Sequence, residues 1–309
     1  MFNRSKAAGL LAAIVAVAAG CGSSAADESG NGGSDSGELV FASVPSESST
    51  SLAQEFAPLI SMLEKETGKK IKVQKATNYA AIIEGQRSKK IDIALYGPLS
   101  YILAKDSGVP LDVVAAETQS RTAKPGYHSY GIVPGKSDLT SVAQFKGKKV
   151  CLVDPNSTSG YLFPESALLQ NKMTLKDVTP VMTGGHDASV LSVKKGQCDA
   201  GFAEDVMVDK LLPAKGQLKP GDVKIVWKSP LIPGSPVAIS SGLDPKLKKK
   251  ITDAFATKAN ADYLKAHGYC SGACTLDSFW GFRAVKDSFY NGVRKVCRLT
   301  KDKQCTSAS

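Results

Sequence analysis

Lys149-Val150-Cys151-Leu152-Val153-Asp154-Pro155-Asn156-Ser157-Thr158-Ser159-Gly160-Tyr161-Leu162-Phe163 is the stretch from which the fold of this chain can be read. An apolar run, Val150 to Val153, reads as a strand. It turns through a polar loop into an amphipathic segment carrying Ala167, Leu168 and Leu169. Three hydroxyl side chains and a glycine therefore fall where a helix begins. The first turn of a helix has unpaired N–H groups and the positive end of the macrodipole, and hydroxyls beside them add donors without net charge. A tetrahedral oxyanion fits such a place. The plainer reading of Ser157 or Ser159 is an N-cap.

Working outward, the same strand-and-helix alternation recurs on both sides. Toward the N-terminus, strands are expected at Leu39–Val44, Ile71–Val73, Ile91–Leu95, Leu111–Ala115 and Tyr130–Val133. Helices are expected between them, one through Leu52, Phe56, Leu59, Ile60 and Leu63 with Gly68 as its stop, then Tyr79–Arg87 and Leu99–Ala104. Beyond the central stretch come strands at Val178–Val181, Cys198–Phe202, Lys224–Trp227 and Pro236–Ile239, and helices at Asp187–Lys194, Lys246–Ala259 and Asp277–Val296. Such alternation predicts parallel strands with crossover helices. Proline and glycine punctuate the chain at Lys124-Pro125-Gly126 and again from Ser229 to Pro236. Two crossings let the chain leave one α/β domain and return to it, which predicts domain 1 over 38–125 plus 234–309 and domain 2 over 126–233. Ligands of open α/β sheets bind outside the carboxyl ends of the strands, so a cleft between the two domains, closing about a two-stranded hinge, is the expected site.

The first residues point to export. Arg4 and Lys6 precede a small-residue apolar run, Ala7 to Ala19, too short to span a bilayer. Val17-Ala18-Ala19-Gly20-Cys21 resembles a bacterial lipobox, with Ala18 where Leu is usual, and implies a signal peptide over 1–20 and a lipidated Cys21. Residues 21–37 are rich in Gly and Ser and read as a flexible tether, so the protein is expected at the outer face of the cytoplasmic membrane. Removing Arg4 and Lys6 takes the net charge from +10 to +8. The positive residues are dispersed, and the Lys246 to Lys250 run has no aromatic neighbours, which argues against a nucleic-acid partner. Six cysteines remain after Cys21: Cys151, Cys198, Cys270, Cys274, Cys297 and Cys305. An even number outside the cytoplasm points to disulfides, Cys151 with Cys198 and the last four among themselves; a structural zinc held by those four is the second reading.

With these motifs in register, Asp154 to Gly160, Gly185-His186-Asp187-Ala188, Gly196 to Gly201, Ser229 to Pro233 and Tyr96-Gly97-Pro98, the chain resembles the phosphate, phosphite and phosphonate binding proteins of ABC importers, the PhnD-like family. The resemblance implies a type II periplasmic-binding-protein fold that hands its ligand to an ABC permease. It places the oxyanion site on Ser157, Thr158, Ser159 and His186, with Tyr96 from the facing domain. A His186 protonated by the bound anion would add a charge-assisted bond. Tyr79 and Tyr127 are candidates for the cleft walls, with ordinary packing as the alternative. Glu204 and Asp205 end a strand and are placed to accept a proton from a protonated phosphate or to pair with an amine, with a helix N-terminus as the alternative. Ser235 stands where aminophosphonate binders carry an acid, which weakens the case for an ammonium-bearing ligand.

An exported phosphate-ester hydrolase is the rival from another class. It needs a nucleophile with an oriented base, or a metal cluster. His128, His186 and His267 have no metal-ligand spacing, and no third group orients Ser157 with His186. No enzyme activity, catalytic residue, cofactor or metal is expected, and a monomer is the default for a binder that closes on a hinge. Another small organic anion as cargo, or a sensing role, keeps the fold and changes the partner.

Overall fold

The computed structural model describes residues 37–44, 52–272, 274, 276 and 279–306. The expected signal peptide, Cys21 and nearly all of the tether lie outside the described residues.

The strands in chain order are β1 (Glu38–Ser43), β2 (Lys70–Lys75), β3 (Ile93–Leu95), β4 (Leu111–Thr118), β5 (Gly126–Tyr127), β6 (Ser129–Pro134) and β7 (Lys149–Leu152). They continue with β8 (Thr179–Met182), β9 (Ala200–Glu204), β10 (Val223–Lys228), β11 (Ile232–Pro233), β12 (Pro236–Ser240) and β13 (Gly281–Ala284). They form one sheet in the order β13-β4-β12-β3-β1-β2, a second in the order β10-β6-β9-β7-β8, and the short pair β11-β5.

Helices cover both faces of each large sheet, so the central strands are apolar throughout instead of alternating with polar residues. On β1, Phe41 packs with Leu59 and Phe255 on one face, and Ala42 joins Tyr96 and Leu99 on the other. β2 is an edge strand, and its exposed Lys70 and Lys75 discourage pairing with another chain. The helix Ala57–Thr67 buries Leu59, Ile60 and Leu63 and ends at Gly68, whose φ of 72° suits a residue without Cβ.

Two expectations are corrected. The sheets are mixed: β1 runs parallel to β2 and β3, and β7 to β8 and β9, but β12 is antiparallel to β3 and β4, and β6 to β9 and β10. Chain that crosses between sheets enters the next one from the opposite end, and alternation along the sequence does not register that reversal. The predicted helix Asp277–Val296 is instead strand β13, followed by a helix over Asn291–Thr300. Four residues that include a glycine and an arginine are too short to display a period, and β13 takes its conformation from the edge of β4.

The two crossings meet as an antiparallel pair, Tyr127 opposite Ile232 and Gly126 opposite Pro233, packed on Phe163. Arg294, on the helix Asn291–Thr300, bonds Asp106 at 2.8 Å and Asp287 at 3.0 Å and ties the C-terminal segment to the first sheet's helices. Among the described residues three disulfides are present, Cys151–Cys198, Cys270–Cys274 and Cys297–Cys305, which leaves the zinc reading without ligands.

Candidate anion site

A cavity opens where the carboxyl ends of both sheets face each other. The first sheet contributes Ser43 and Leu95 at strand ends, Glu117 near the end of β4, and Gly97 just past β3. From the second come Ser157, Thr158, His186 and Glu204, and Tyr79, Tyr127 and Ser235 complete the polar lining. Val44, Val206, Leu211 and Phe279 form an apolar side. The space open to the centre of a water-sized sphere is about 30 Å³. One water needs roughly 10–15 Å³ by this measure, so the cavity takes a compact group without a long tail.

The central stretch builds the donor wall. Thr158–Leu162 is a single π-helical turn running into the α-helix Phe163–Gln170, an irregularity often found at functional sites. Ser157 caps it, its Oγ accepting the Gly160 N–H at 3.1 Å, so the plainer capping role is real. The same hydroxyl lies beside the Tyr79 phenol in the cavity lining. Thr158 reaches the other sheet, its Oγ1 accepting the Leu99 N–H at 2.8 Å. Ser159 stands behind this wall. Its carbonyl accepts from Ser129 Oγ at 2.6 Å, and its side chain lies near the Tyr127 hydroxyl.

His186 opens the helix His186–Lys194 and is 2% exposed. Its Nδ1 accepts the Glu204 N–H at 3.1 Å, so the proton of the neutral ring lies on Nε2, 3.4 Å from the Tyr79 hydroxyl. Burial pulls its pKa down to about 4. As the site stands, His186 is a neutral Nε2–H donor, because charging it would break the bond from Glu204 in a site closed to water. Burial also raises the Tyr79 and Tyr127 pKa values, which keeps both phenols protonated as donors.

Comparison with known proteins identifies the family. The family model of the periplasmic substrate-binding protein of phosphonate ABC transporters matches residues 41–288. The chain belongs to this family. The phosphate-import protein PhnD of Mycolicibacterium smegmatis is 39% identical over 279 residues, 86% of this chain and 87% of that one. The phosphonates-binding periplasmic protein of Escherichia coli is 34% identical over 234 residues, 74% and 68% of the two chains. A crystal structure of a binding protein component of an ABC phosphonate transporter from Pseudomonas aeruginosa superposes with a TM-score of 0.74 at 27% identity, covering 88% and 89%. The fold is the two-lobed type II periplasmic-binding-protein fold, and the protein is an extracytoplasmic binding component that serves an ABC permease.

For this family member, three expected contacts need revision, the first being Ser159, which stands behind the wall and does not line the cavity. Tyr96 does not line the cavity: side chains alternate along an extended segment, so Leu95 and Gly97 face the site while Tyr96 points away and donates to Gln86 Oε1 at 2.9 Å. Asp205 is also absent from the lining; its carboxylate accepts the Val206 N–H at 3.0 Å, the helix-start role that acids commonly take. Sequence reasoning missed Ser43, Glu117 and Phe279. Ser43 and Glu117 follow apolar strand runs, which is a usable signal in an α/β sheet. Phe279 lies in an irregular segment and had none.

The buried imidazole makes a pH prediction. A group whose folded pKa is lowered to about 4 from 6.5 contributes stability that is fully present above 6.5 and is lost as pH falls toward 4. The loss attributable to His186 is about 3 kcal/mol. Unfolding free energies of wild type and His186→Gln, measured from pH 7 to pH 4, should converge by that amount. A constant difference would contradict the neutral buried ring. Taking the difference cancels Glu165, whose pKa burial raises to about 7 and whose effect on stability has the opposite sign.

Proposed function

We propose that this protein captures a compact phosphorus oxyanion, phosphate, phosphite or a small alkylphosphonate, and delivers it to the permease. The observation that carries the reading is the cavity itself: hydroxyl, phenol and imidazole N–H donors converge on a space of about 30 Å³. The name of the 39%-identical phosphate-import relative supports it. The lobes, residues 38–125 plus 234–309 and residues 126–233, close about the β5–β11 pair, and the Thr158–Leu99 and Tyr79–His186 contacts are made in the closed form. The chain acts as a monomer, tethered to the outer face of the membrane through a lipid on Cys21. It binds without turnover, since the Ser157 Oγ is engaged by Gly160 and the Nε2 of His186 faces Tyr79, away from any nucleophile–base pairing with Ser157.

Calorimetric titration with phosphate, phosphite, methylphosphonate and 2-aminoethylphosphonate tests this directly. Hydrogen bonds to a charged ligand are worth about 1.5–3 kcal/mol each, so Ser157→Ala should weaken binding by about tenfold to a hundredfold. Silence across the panel from folded wild-type protein would remove the reading.

A further inference from the structure

The donor turn lacks one bond of its own register. In Thr158–Leu162 successive N–H groups reach back five residues: Leu162 N–H donates to the Ser157 carbonyl at 3.1 Å, and Phe163 N–H donates to the Thr158 carbonyl. The next pair in this register joins the N–H of residue 164 to the Ser159 carbonyl. Residue 164 is proline and has no N–H to give. In the α-helical register the same missing donor would leave the Gly160 carbonyl instead, and that carbonyl is taken by Val153 N–H at 3.0 Å. The Ser159 carbonyl is met from outside the helix, by the Ser129 hydroxyl, which donates to it at 2.6 Å. Ser129 is 0% and Ser159 1% exposed, so bulk solvent does not reach this pair and a buried carbonyl depends on one side chain for its partner.

Ser129 does not line the cavity, so it acts on a ligand only through other residues. It stands at the root of the hinge, since it opens β6 just after the first crossing ends at Tyr127, while Ser229 follows β10 just before the second crossing begins. The two serines are joined: Ser129 N–H donates to Ser229 Oγ at 2.9 Å, and Ser229 N–H donates to the Ser129 carbonyl at 2.9 Å. Ser229 is buried as well. One chain of bonds therefore runs from the roots of both crossings to Ser159, and the cavity-lining Ser157 and Thr158 lie immediately before Ser159 in the chain. We propose that Ser129, seated by Ser229, is a positioning residue for anion capture: its hydroxyl supplies the bond that Pro164 withholds and fixes the donor turn to the root of the hinge, so that Ser157 and Thr158 keep their places as the lobes close. The inference rests on the phosphorus-oxyanion reading above and deepens it. Without the hydroxyl a buried carbonyl is left unpaired, and the turn relieves that cost by shifting toward another donor. A shift of about an ångström in preorganised donors is enough for a loss of about a hundredfold.

Calorimetric titration with phosphate, phosphite and methylphosphonate, in wild type, Ser129→Ala, Pro164→Ala and the double variant, tests this. Ser129→Ala alone should weaken binding by about tenfold to a hundredfold. In Pro164→Ala, residue 164 regains an N–H in register with the Ser159 carbonyl, so adding Ser129→Ala to that background should cost less than about threefold. A merely structural serine would leave the affinity of the folded protein alone, and two independent losses would add; here the second substitution removes the need for the first group. Wild-type affinity in folded Ser129→Ala, with only stability lowered, would overturn the inference. A loss greater than about threefold on adding Ser129→Ala to Pro164→Ala would overturn it too, and this comparison decides the matter even where Ser129→Ala alone does not fold. Failure of the double variant to fold where Pro164→Ala folds has the same meaning, because the carbonyl then has its partner. All of these outcomes leave the oxyanion reading intact. Absence of binding by folded wild type to any of the three anions would remove that reading and this inference together.

Discussion

Gly160→Ala is expected to weaken ligand binding by about a hundredfold and to cost about 1–3 kcal/mol of stability. A Cβ at this position would lie 2.3 Å from Val153 Cγ2, 2.4 Å from Val153 Cβ and 3.0 Å from Ser157 Oγ. Val153 is fully buried, so it has nowhere to go. Rotating its side chain cannot help, because its own Cβ is one of the clashing atoms. The remaining way to relieve the clash is to lift the start of the helix away from β7. That start is held by two bonds, Gly160 N–H to Ser157 Oγ and Val153 N–H to the Gly160 carbonyl at 3.0 Å, and it carries both Ser157 and Thr158 into the cavity. Moving preorganised donors by about an ångström is enough for a loss of that size. Titration with phosphate, phosphite and methylphosphonate, paired with urea unfolding, reads both effects. Val153→Ala should fail to rescue the variant, since it retains the offending Cβ. Wild-type affinity in Gly160→Ala would show that the donor wall tolerates displacement and would undo this account of the site.

The second large effect concerns the bridge beneath that wall. Cys151 and Cys198 are joined across a sequence separation of 47, with their Cα atoms 5.8 Å apart and both residues buried. The loop they close contains the Ser157–Gly160 turn and His186, so the bridge encloses the second lobe's main contribution to the site. In the chain-entropy account, cross-linking a loop of this length removes enough freedom from the unfolded chain to be worth about 4 kcal/mol. The Cys297–Cys305 bridge spans a separation of 8 and by the same account is worth about 2.5 kcal/mol. Urea unfolding of Cys151→Ala/Cys198→Ala should therefore show the larger loss, exceeding that of Cys297→Ala/Cys305→Ala by about 1.5 kcal/mol. Equal losses would mean that loop length does not govern these bridges. Export to an oxidising compartment is what allows the chain to rely on them.

Much of this was legible in the chain before any coordinate. The run from Lys149 to Phe163 declares a strand, a polar turn and a helix start, because apolar periodicity, hydroxyl capping and glycine are properties of neighbouring residues. Gly68 ends its helix for the same reason, and the proline and glycine punctuation at Lys124–Gly126 and Ser229–Pro236 marks where the backbone crosses. These are short-range matters of dihedral preference and hydrogen-bonding capacity, and the sequence by itself determined them. Tertiary structure alone decided which way groups point and what surrounds them. Tyr96 and Tyr79 are both tyrosines near the same cleft, yet strand alternation sends the first to Gln86 and packing brings the second to Ser157 and His186. The antiparallel entry of β6 and β12, the strand β13, and the joining of residues as distant as Glu117 and Glu204 in one cavity lining depend on pairing between segments far apart in the chain. The protonation of His186 depends on a backbone N–H and on exclusion of water, neither of which any local stretch of residues contains.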